Sequence, residues 1–231
     1  MKEQLQKDFD NTIKNLTLSQ KDIEIKKFYL DNFINKGFPN RREEDWKFSD
    51  LNQIIKKNIG EISFYNDYTT TNKVDTSVFV DGLEHNKIVF INGRIEKIDF
   101  DYEKKDQIEI IDQSETINKF NDNSSLSDLN SAFTNKSFKI VVKKGYQLEK
   151  PLIIYHTTNS KIWSKNINLR LNFELYENSC LRLIDLFKDT SEKNFLNIFY
   201  NFDLKKNSIL KNYKIDKFEN KNIKYSFNNI E

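Results

Sequence analysis

Cysteine, histidine, proline and glycine are all scarce in this sequence of 231 residues. The chain contains one cysteine, two histidines, two prolines and five glycines. The single Cys180 excludes a disulfide within the chain and any site that needs several cysteines. Neither His85 nor His156 has a plausible metal-ligand spacing to Cys180. We therefore expect no metal-binding residues, no catalytic residues and no cofactor in the chain alone.

Charge of one sign and long apolar runs are also missing. The 37 lysines and arginines nearly balance the 35 acidic residues, so the formal net charge is only +2. Nucleic-acid binding usually needs a basic surface, which this balance does not favour. No apolar run approaches the roughly 18 residues of a membrane span, and the first ten residues lack the apolar region of a secretory signal. We expect a soluble, cytoplasmic protein without nucleic-acid or membrane partners.

The sequence motifs of common active sites are absent too. The chain has no glycine-rich phosphate loop, no serine nucleophile elbow and no histidine–acid pair at helical spacing. Its lysine pairs are dispersed and balanced by acids, so we interpret them as solvated faces: Lys26-Lys27, Lys56-Lys57, Lys143-Lys144 and Lys205-Lys206. Aromatic residues, in contrast, are abundant. The 19 phenylalanines and 10 tyrosines argue for a folded core.

One stretch, GFPNRREEDWKFSDL at residues 37–51, concentrates glycine, proline, tryptophan and charge. Residues 19–36 before it have the apolar spacing of an amphipathic helix. Gly37 suits the left-handed position that follows a helix, and a proline soon after it prevents continuation. A site for an acidic ligand, a catalytic cluster and a corner between two helices are the possible interpretations.

The residues after the proline favour the corner. Asn40 and Glu43 form a variant capping box, in which the Asn40 side chain accepts from the Glu43 amide and Glu43 reaches back to the Asn40 amide. This box predicts a second helix that contains Trp46. Trp46 and Phe48 are then expected to anchor the corner in the core.

The pattern changes to β-structure after Gly60. The run KIVFINGRIEKI, residues 87–98, consists of two β-rich segments around Asn92-Gly93, which is the signal of a type I′ hairpin. Residues 101–127 are charged and polar. We predict that they form a connection with one short strand at QIEII, residues 107–111.

A short repeat occurs three times in the C-terminal half: VKKGYQL at 142–148, LYENSCL at 175–181 and LKKNSIL at 204–210. Gly145, Asn178 and Asn207 tolerate the left-handed backbone of a tight turn, and β-rich runs flank every copy. Units of this kind bury their apolar faces against their neighbours. The pattern predicts a parallel β-solenoid, and an antiparallel meander of similar hairpins is the alternative.

In the solenoid, the aliphatic residues that bound each copy should stack in register inside: Val142, Leu148, Leu175, Leu181, Leu204 and Leu210. Cys180 occupies the position of Gln147 and Ile209, so we interpret it as a packing residue. The predicted fold class is mainly β with N-terminal helices, a partial parallel β-helix preceded by a small α-helical region. We expect a helical region at 1–60, the hairpin and connecting segment at 61–135, and an incomplete β-helix core at 136–231.

Four stretches together resemble the SufB/SufD family of the SUF iron–sulfur cluster assembly system, and its SufD members in particular. They are GFPNRREEDWKFSDL (37–51), VFINGRI (89–95), LNSAF (129–133) and VKKGYQLEKPLIIYH (142–156), and the resemblance continues into the repeats. Asn40 stands where the family usually has threonine or serine, and it can serve as the same helix cap. RLIDLFKD at 182–189 lacks the Gly-Cys pair typical of SufB chains, which favours SufD.

The resemblance implies a subunit that pairs with a SufB-like paralogue and is bound by a SufC-like ATPase. Family members are longer, and their SufC-binding surface and proposed cluster-site residues lie in a part with no counterpart here. No family site residue is therefore carried over, and SufC binding is expected to be absent. A fragment, a truncated gene product and part of a split protein all fit the length. We expect uncapped last strands with core aliphatics exposed between Phe202 and Phe227, and a homodimer or other self-association through them.

Two function classes follow from the sequence. The first is a non-enzymatic, SufD-like subunit of a scaffold that builds or transfers iron–sulfur clusters, with the cluster present only in the full complex. The second is a carbohydrate-binding or carbohydrate-active β-helix protein. The second class needs an acidic cluster with a basic residue on one face, and the sequence shows no obvious set of that kind.

Overall fold

The computed structural model describes residues 2–14, 16, 18–65, 72–113, 124–134, 137–159, 162–188, 193–217 and 221–231. Their helices are α1 (Lys2–Lys14), α2 (Gln20–Lys36), α3 (Leu51–Asn58) and α4 (Ser125–Phe133). Their strands are β1 (Ser63–Phe64), β2 (Asn86–Ile91), β3 (Arg94–Asp99), β4 (Ile108–Asp112), β5 (Ser137–Val142), β6 (Leu152–Thr157), β7 (Lys165–Leu175), β8 (Cys180–Lys188), β9 (Phe195–Leu204), β10 (Ile209–Lys217) and β11 (Ile223–Ile230). None of these helices is long and apolar enough to cross a membrane.

The strands form two mixed sheets. The first has the order β11-β9-β7-β5-β4, with β1 beside β7, and the second has the order β10-β8-β6-β2-β3. From β5 onward, successive strands alternate between the sheets, and each pairs in parallel with the strand two further along the chain. The antiparallel meander is therefore wrong for this part of the chain. The only antiparallel pairs among the described strands are β2–β3 and β4–β5.

The main core lies between the two sheets. Alternate residues of the central strands contribute to it, such as Leu152 and Ile154 of β6 and Leu169 and Leu171 of β7. This period of two is the one expected for strands with one face in a core. The predicted hairpin is confirmed, because β2 and β3 are joined at Asn92 and Gly93, both of which have positive φ. The short strand predicted at residues 107–111 corresponds to β4.

The repeat has the register that its sequence predicts. Val142 pairs with Leu175, and Leu175 pairs with Leu204, in the first sheet. Leu181 pairs with Leu210 in the second sheet, where Gln147 and Ile209 both pair with Cys180. All six aliphatic residues belong to the main core or pack against it. The backbone φ is +73° at Gly145 and +60° at Asn178 and Asn207, so the predicted left-handed turns are confirmed.

The turns give a direct test of this backbone requirement. We expect Asn178→Ala to lower the free energy of unfolding by about 1 kcal/mol, because a Cβ without a local polar group disfavours the left-handed region. Asn178→Gly should change it by less than about 0.5 kcal/mol, since glycine adopts this region freely. Urea unfolding of both variants measures the difference. Equal losses for alanine and glycine would show that the side chain, not the backbone, stabilises the turn.

Helices cover the outer face of the first sheet. Phe195 and Phe199 of β9 point away from the main core into a second apolar cluster, with Leu129 and Phe133 of α4 and Phe33 of α2. Polar contacts fix α4 on the strands. The Asn130 amide donates to the carbonyls of Leu169 (3.2 Å) and Asn197 (2.8 Å). This helix was not predicted from the sequence. Residues 114–123 of the predicted connection lie outside the described residues.

The corner at residues 37–51 agrees with its sequence only in part. Helix α2 runs from a Ser19 cap to Gly37, whose φ is +75°, as expected. The Asn40 amide donates to the Glu43 carboxylate at 3.1 Å. The Asn40 side chain, however, accepts from the Arg42 amide and not from that of Glu43. Only half of the predicted capping box is therefore confirmed.

Trp46 does not lie in an α-helix. It ends a single 3₁₀ turn, Glu44–Trp46, and the next α-helix begins at Leu51 because Asp50 caps it by accepting from the Gln53 amide. Trp46 packs against Tyr225 of β11, with ring centroids 6.0 Å apart. The expectation that Phe48 is anchored in the core is wrong, since its side chain is 86% exposed. Residues two apart in a helical turn do not share a face.

Mutations can separate the two aromatic residues of the corner. Trp46→Ala should lower the free energy of unfolding by about 2 kcal/mol, since the ring is half-buried between the corner and β11. Phe48→Ala should change it by no more than about 0.5 kcal/mol, as is usual at exposed positions. Parallel urea melts test this pair. A larger loss for Phe48→Ala than for Trp46→Ala would contradict the packing of the corner.

Candidate functional site

A group of charged and polar side chains lies between the two sheets near β10 and β11; it is buried around Asp185 and exposed at Lys214, Asp216 and Asn228. Earlier strands place aliphatic residues at the inward positions, such as Leu183 and Ile198. In β10 and β11 the residues that follow them in register are polar: Asn212, Lys214, Asp216, Lys224, Ser226 and Asn228. The expectation of exposed aliphatics between Phe202 and Phe227 is confirmed in part: Ile209 and Ile215 are 52% and 50% exposed, but they lie at outward positions of β10. Phe202 itself is fully buried.

Asp185 is at the centre of this group. It lies at an inward position of β8. Its partners in register are Ile154 on β6 and Lys214 on β10. Its carboxylate is 3.4 Å from the Lys224 ammonium group, and both side chains are at most 2% exposed. Lys224 also contacts Asp216 at 2.7 Å, and Asp216 is partly exposed. The ion pairs thus connect the buried interior to the edge of the sheets at β10.

His156 and Tyr200 complete the buried part of the site. The Nε2 atom of His156 is 2.9 Å from the Tyr200 hydroxyl and 3.3 Å from the Asp185 carboxylate. The imidazole also stacks on Phe90, with ring centroids 5.3 Å apart. Lys214 lies over the Tyr200 ring and donates to Ser226 and Asn228 on β11. Asp185, His156 and Lys214 therefore each have a partner across the gap between the sheets, whereas the side-chain oxygen of Asn212 is buried without a hydrogen-bond partner in the described part of the chain.

Burial and charge determine the ionisation of the site. Burial lowers the pKa of His156 to about 4, although the neighbouring Asp185 opposes this change. Burial raises the pKa of Asp185, but His156, Lys224 and the Tyr200 hydroxyl together hold it below its ordinary value. Burial also raises the pKa of Tyr200 far above its ordinary value. At neutral pH the site therefore consists of a neutral imidazole, a neutral phenol and an Asp185 carboxylate balanced by Lys224.

The site leaves almost no room for a substrate. The cavity beside His156 has a volume of about 10 Å³, and its walls include Phe90, Ile167 and Leu196. This is close to the volume that one water molecule needs. Perturbed pKa values are frequent at active sites, but buried ion networks produce them too. In this packed geometry the group can hold strands in register and exchange protons.

The other residues considered from sequence do not join this group. His85 lies on the outer side of the second sheet, with its Nδ1 2.5 Å from the Leu83 carbonyl oxygen and its Nε2 2.7 Å from the Tyr155 hydroxyl. Cys180 is a free thiol at the start of β8. Among the described residues, no group of three or more His, Cys, Asp or Glu side chains is placed to hold a metal ion.

Lys26 does not lie on a solvated face, which corrects the interpretation of that lysine pair. Its side chain is buried, and its ammonium group donates to the carbonyl oxygens of Ser131, Ala132 and Thr134 at the C-terminal end of α4. Burial, aided by the nearby Arg170, lowers the pKa of Lys26 to about 7. Lys26 thus closes the end of a helix that is itself buried on the first sheet.

A groove of about 750 Å³ lies between α1 and α3. Its floor is apolar and includes Leu5, Ile55 and Phe64, and charged residues such as Lys7 and Glu61 line its sides. These lining groups have no convergent hydrogen bonds that would indicate a catalytic arrangement.

The chain matches no protein-family model, and no curated protein sequence matches it significantly.

Proposed function

We propose that this chain is a SufD-like, non-enzymatic subunit of a scaffold complex for iron–sulfur cluster assembly, acting with a SufB-like paralogue and a SufC-like ATPase. Within this proposal, β5 to β11 form the coils of a parallel β-helix. The iron–sulfur cluster is the cargo of the full complex. The cytoplasm is the proposed compartment.

One observation supports the proposal most strongly: the stretches that carry the family resemblance contact one another in pairs, the hairpin with β6 and the corner with α4 in the second apolar cluster. The hairpin of VFINGRI pairs with β6, which belongs to VKKGYQLEKPLIIYH. LNSAF lies in α4, which packs on β7 and β9 through Asn130. The corner reaches β11 through Trp46. An ordered set of motifs that builds one structural unit is harder to obtain by chance than any single motif.

The strand order supports the finer fold proposal. Strands that alternate between two facing sheets, each parallel to the strand of the preceding copy, are the pattern that stacked repeats produce. The left-handed turns recur once in each copy, about 30 residues apart. The charged group around Asp185 fits a scaffold as well, because buried ionic groups are best known for fixing register.

Co-purification tests this proposal against the carbohydrate alternative. The tagged chain is co-expressed with SufB-like and SufC-like proteins, and the complexes are separated by size-exclusion chromatography with light scattering. We expect the SufB-like protein to co-elute in a stable complex, and the SufC-like ATPase to be captured only when the SufB-like protein is present. A matched array of acidic and neutral glycans serves as the control. If the chain binds a glycan and does not co-elute with the SufB-like protein, the scaffold role is rejected in favour of the carbohydrate alternative.

A further inference from the structure

The outer face of the second sheet carries an apolar ladder that is covered at one end and exposed at the other. Ile153, Ile184 and Tyr213 are consecutive in register on β6, β8 and β10. Tyr155, Leu186 and Ile215 form the row beside them. On β6 the two residues are buried, on β8 they are partly buried, and on β10 Tyr213 and Ile215 are 57% and 50% exposed.

A segment of this chain covers the buried end of the ladder. Val74, Val78, Phe79 and Val80 pack on Ile153 and Tyr155 in a separate apolar cluster. The Phe79 ring lies 5.0 Å from that of Tyr155, and the Val80 amide donates to the Tyr155 hydroxyl at 3.0 Å. The protein thus shows what kind of segment fits these rows: a short apolar one.

Basic residues flank the exposed end of the ladder on both sides. Arg182 pairs in register with Lys211 on one side, and Lys188 pairs with Lys217 on the other. Like charges directly opposite one another are unfavourable in a sheet. Over the described strands β8 and β10, the outward positions hold no acidic side chain. Two basic rows around an apolar stripe are complementary to an acidic, apolar partner.

The covering segment has this complementary charge as well. Lys188 donates to the Ser77 carbonyl oxygen at 3.4 Å. Hydrogen bonds from Ser77, with a smaller effect of Lys188, lower the pKa of Asp75. The segment therefore combines valine and phenylalanine on the apolar rows with a carboxylate near a basic row.

We propose that the exposed end of this ladder, formed by Tyr213 and Ile215 with Ile184 and Leu186, docks a short apolar segment with acidic residues from a partner protein. The segment packs on β8 and β10 as Val74 to Val80 pack on β6. Its apolar side chains contact the two rows, and its carboxylates face Arg182, Lys211, Lys188 and Lys217. An apolar stripe two rows wide favours a protein segment over a nucleic acid, whose contacts are mainly with phosphates.

A peptide copied from the chain itself is the probe for this surface. The N-acetylated, C-amidated peptide VDTSVFVD (residues 74–81) is titrated into the ¹⁵N-labelled full chain at low salt, and amide shifts are followed by NMR. We expect saturable shifts confined to β8 and β10. Tyr213→Ser should weaken binding about tenfold, by removing the largest apolar contact. The charge-reversed Lys211→Glu/Lys217→Glu chain and the peptide VNTSVFVN should each bind several-fold more weakly.

One control variant and several contrary results test the proposed docking surface. Phe28→Ser, which removes an exposed aromatic side chain from α2, should leave the affinity unchanged, and circular dichroism verifies that each variant is folded. The proposal is overturned if the peptide gives no saturable shifts, or if Tyr213→Ser binds it as well as the parent chain. Binding of single-stranded oligonucleotides or anionic vesicles at β10 in preference to the peptide would also overturn it. Self-association of the chain that Tyr213→Ser abolishes would also overturn the proposal.

Discussion

Replacing Asp185 with leucine will destabilise the protein by about 3 kcal/mol, because the buried ammonium group of Lys224 loses a carboxylate and keeps Asp216 as its one ionic partner among the described residues. Urea unfolding followed by circular dichroism measures this loss. The matched control is Asp203→Asn, which breaks an ion pair with Lys205 at the protein surface. Exposed pairs of that kind contribute little, so the control should change stability by less than about 0.5 kcal/mol.

The double variant Asp185→Leu/Lys224→Met tests the reason for the loss. Replacing a buried ion pair by apolar residues of similar volume is often neutral or stabilising. We therefore expect the double variant to recover most of the stability lost in Asp185→Leu. If the stability lost in the double variant equals the sum of the losses in Asp185→Leu alone and Lys224→Met alone, the two residues do not interact. The buried ion pair described between β8 and β11 would then be wrong.

Acidification is expected to remove about 3 kcal/mol of stability through His156 alone. Its pKa is about 4 in the folded protein, against about 6.5 in an unfolded chain. Between these values the unfolded state binds a proton that the folded state does not, so stability falls as the pH is lowered from 6.5 to 4. The size follows from 1.36 kcal/mol for each pH unit of the difference.

Comparison of three proteins isolates this contribution. The parent chain, His156→Gln and His85→Gln are unfolded with urea at several values between pH 7 and pH 4. His156→Gln should show a much flatter decline of stability than the parent chain. His85→Gln should keep most of the decline, because the pKa of His85 is lowered by less than that of His156. An unchanged slope in His156→Gln would mean that His156 is protonated in the folded protein.

The repeats and turns could be predicted from the sequence because the residue types at these positions act on the neighbouring backbone. Gly145, Asn178 and Asn207 were predicted at left-handed turns and are found there. Helix α2 also has its predicted limits, since a serine cap and a glycine stop act on the nearest backbone groups alone. Local chemistry was sufficient wherever the structure is determined by a few neighbouring residues.

Helix α4 and Phe48 show where local chemistry fails. The sequence of α4, SLSDLNSAF, is rich in serine, asparagine and aspartate, which are weak helix formers in isolation. All nine of its residues are buried on the sheet and under α2, and this tertiary packing overrides their propensity. Phe48 was assigned to the core because it is aromatic. A single 3₁₀ turn around Trp46 directs it to solvent instead.

The charged group around Asp185 was missed although the sequence contained a signal for it. Once Leu181 and Leu210 are assigned to the interior, steps of two residues place Asp185 and Lys214 there as well. Motif searches overlook such residues, because their partners come from other strands. Lys224 is at an inward position of β11, and His156 is at one on β6. Only the strand pairing shows that these side chains meet.

The central proposal is that this chain supports cluster assembly in a partner complex without holding a cluster itself. The most direct measurement is the iron content and visible absorption of the SufB-like protein after anaerobic reconstitution, chelator treatment and desalting, with and without this chain. We predict that the complex retains an iron–sulfur cluster, that the SufB-like protein alone retains less, and that this chain alone retains none. Stoichiometric iron on the isolated chain, or equal retention by the SufB-like protein in its absence, would contradict the proposal.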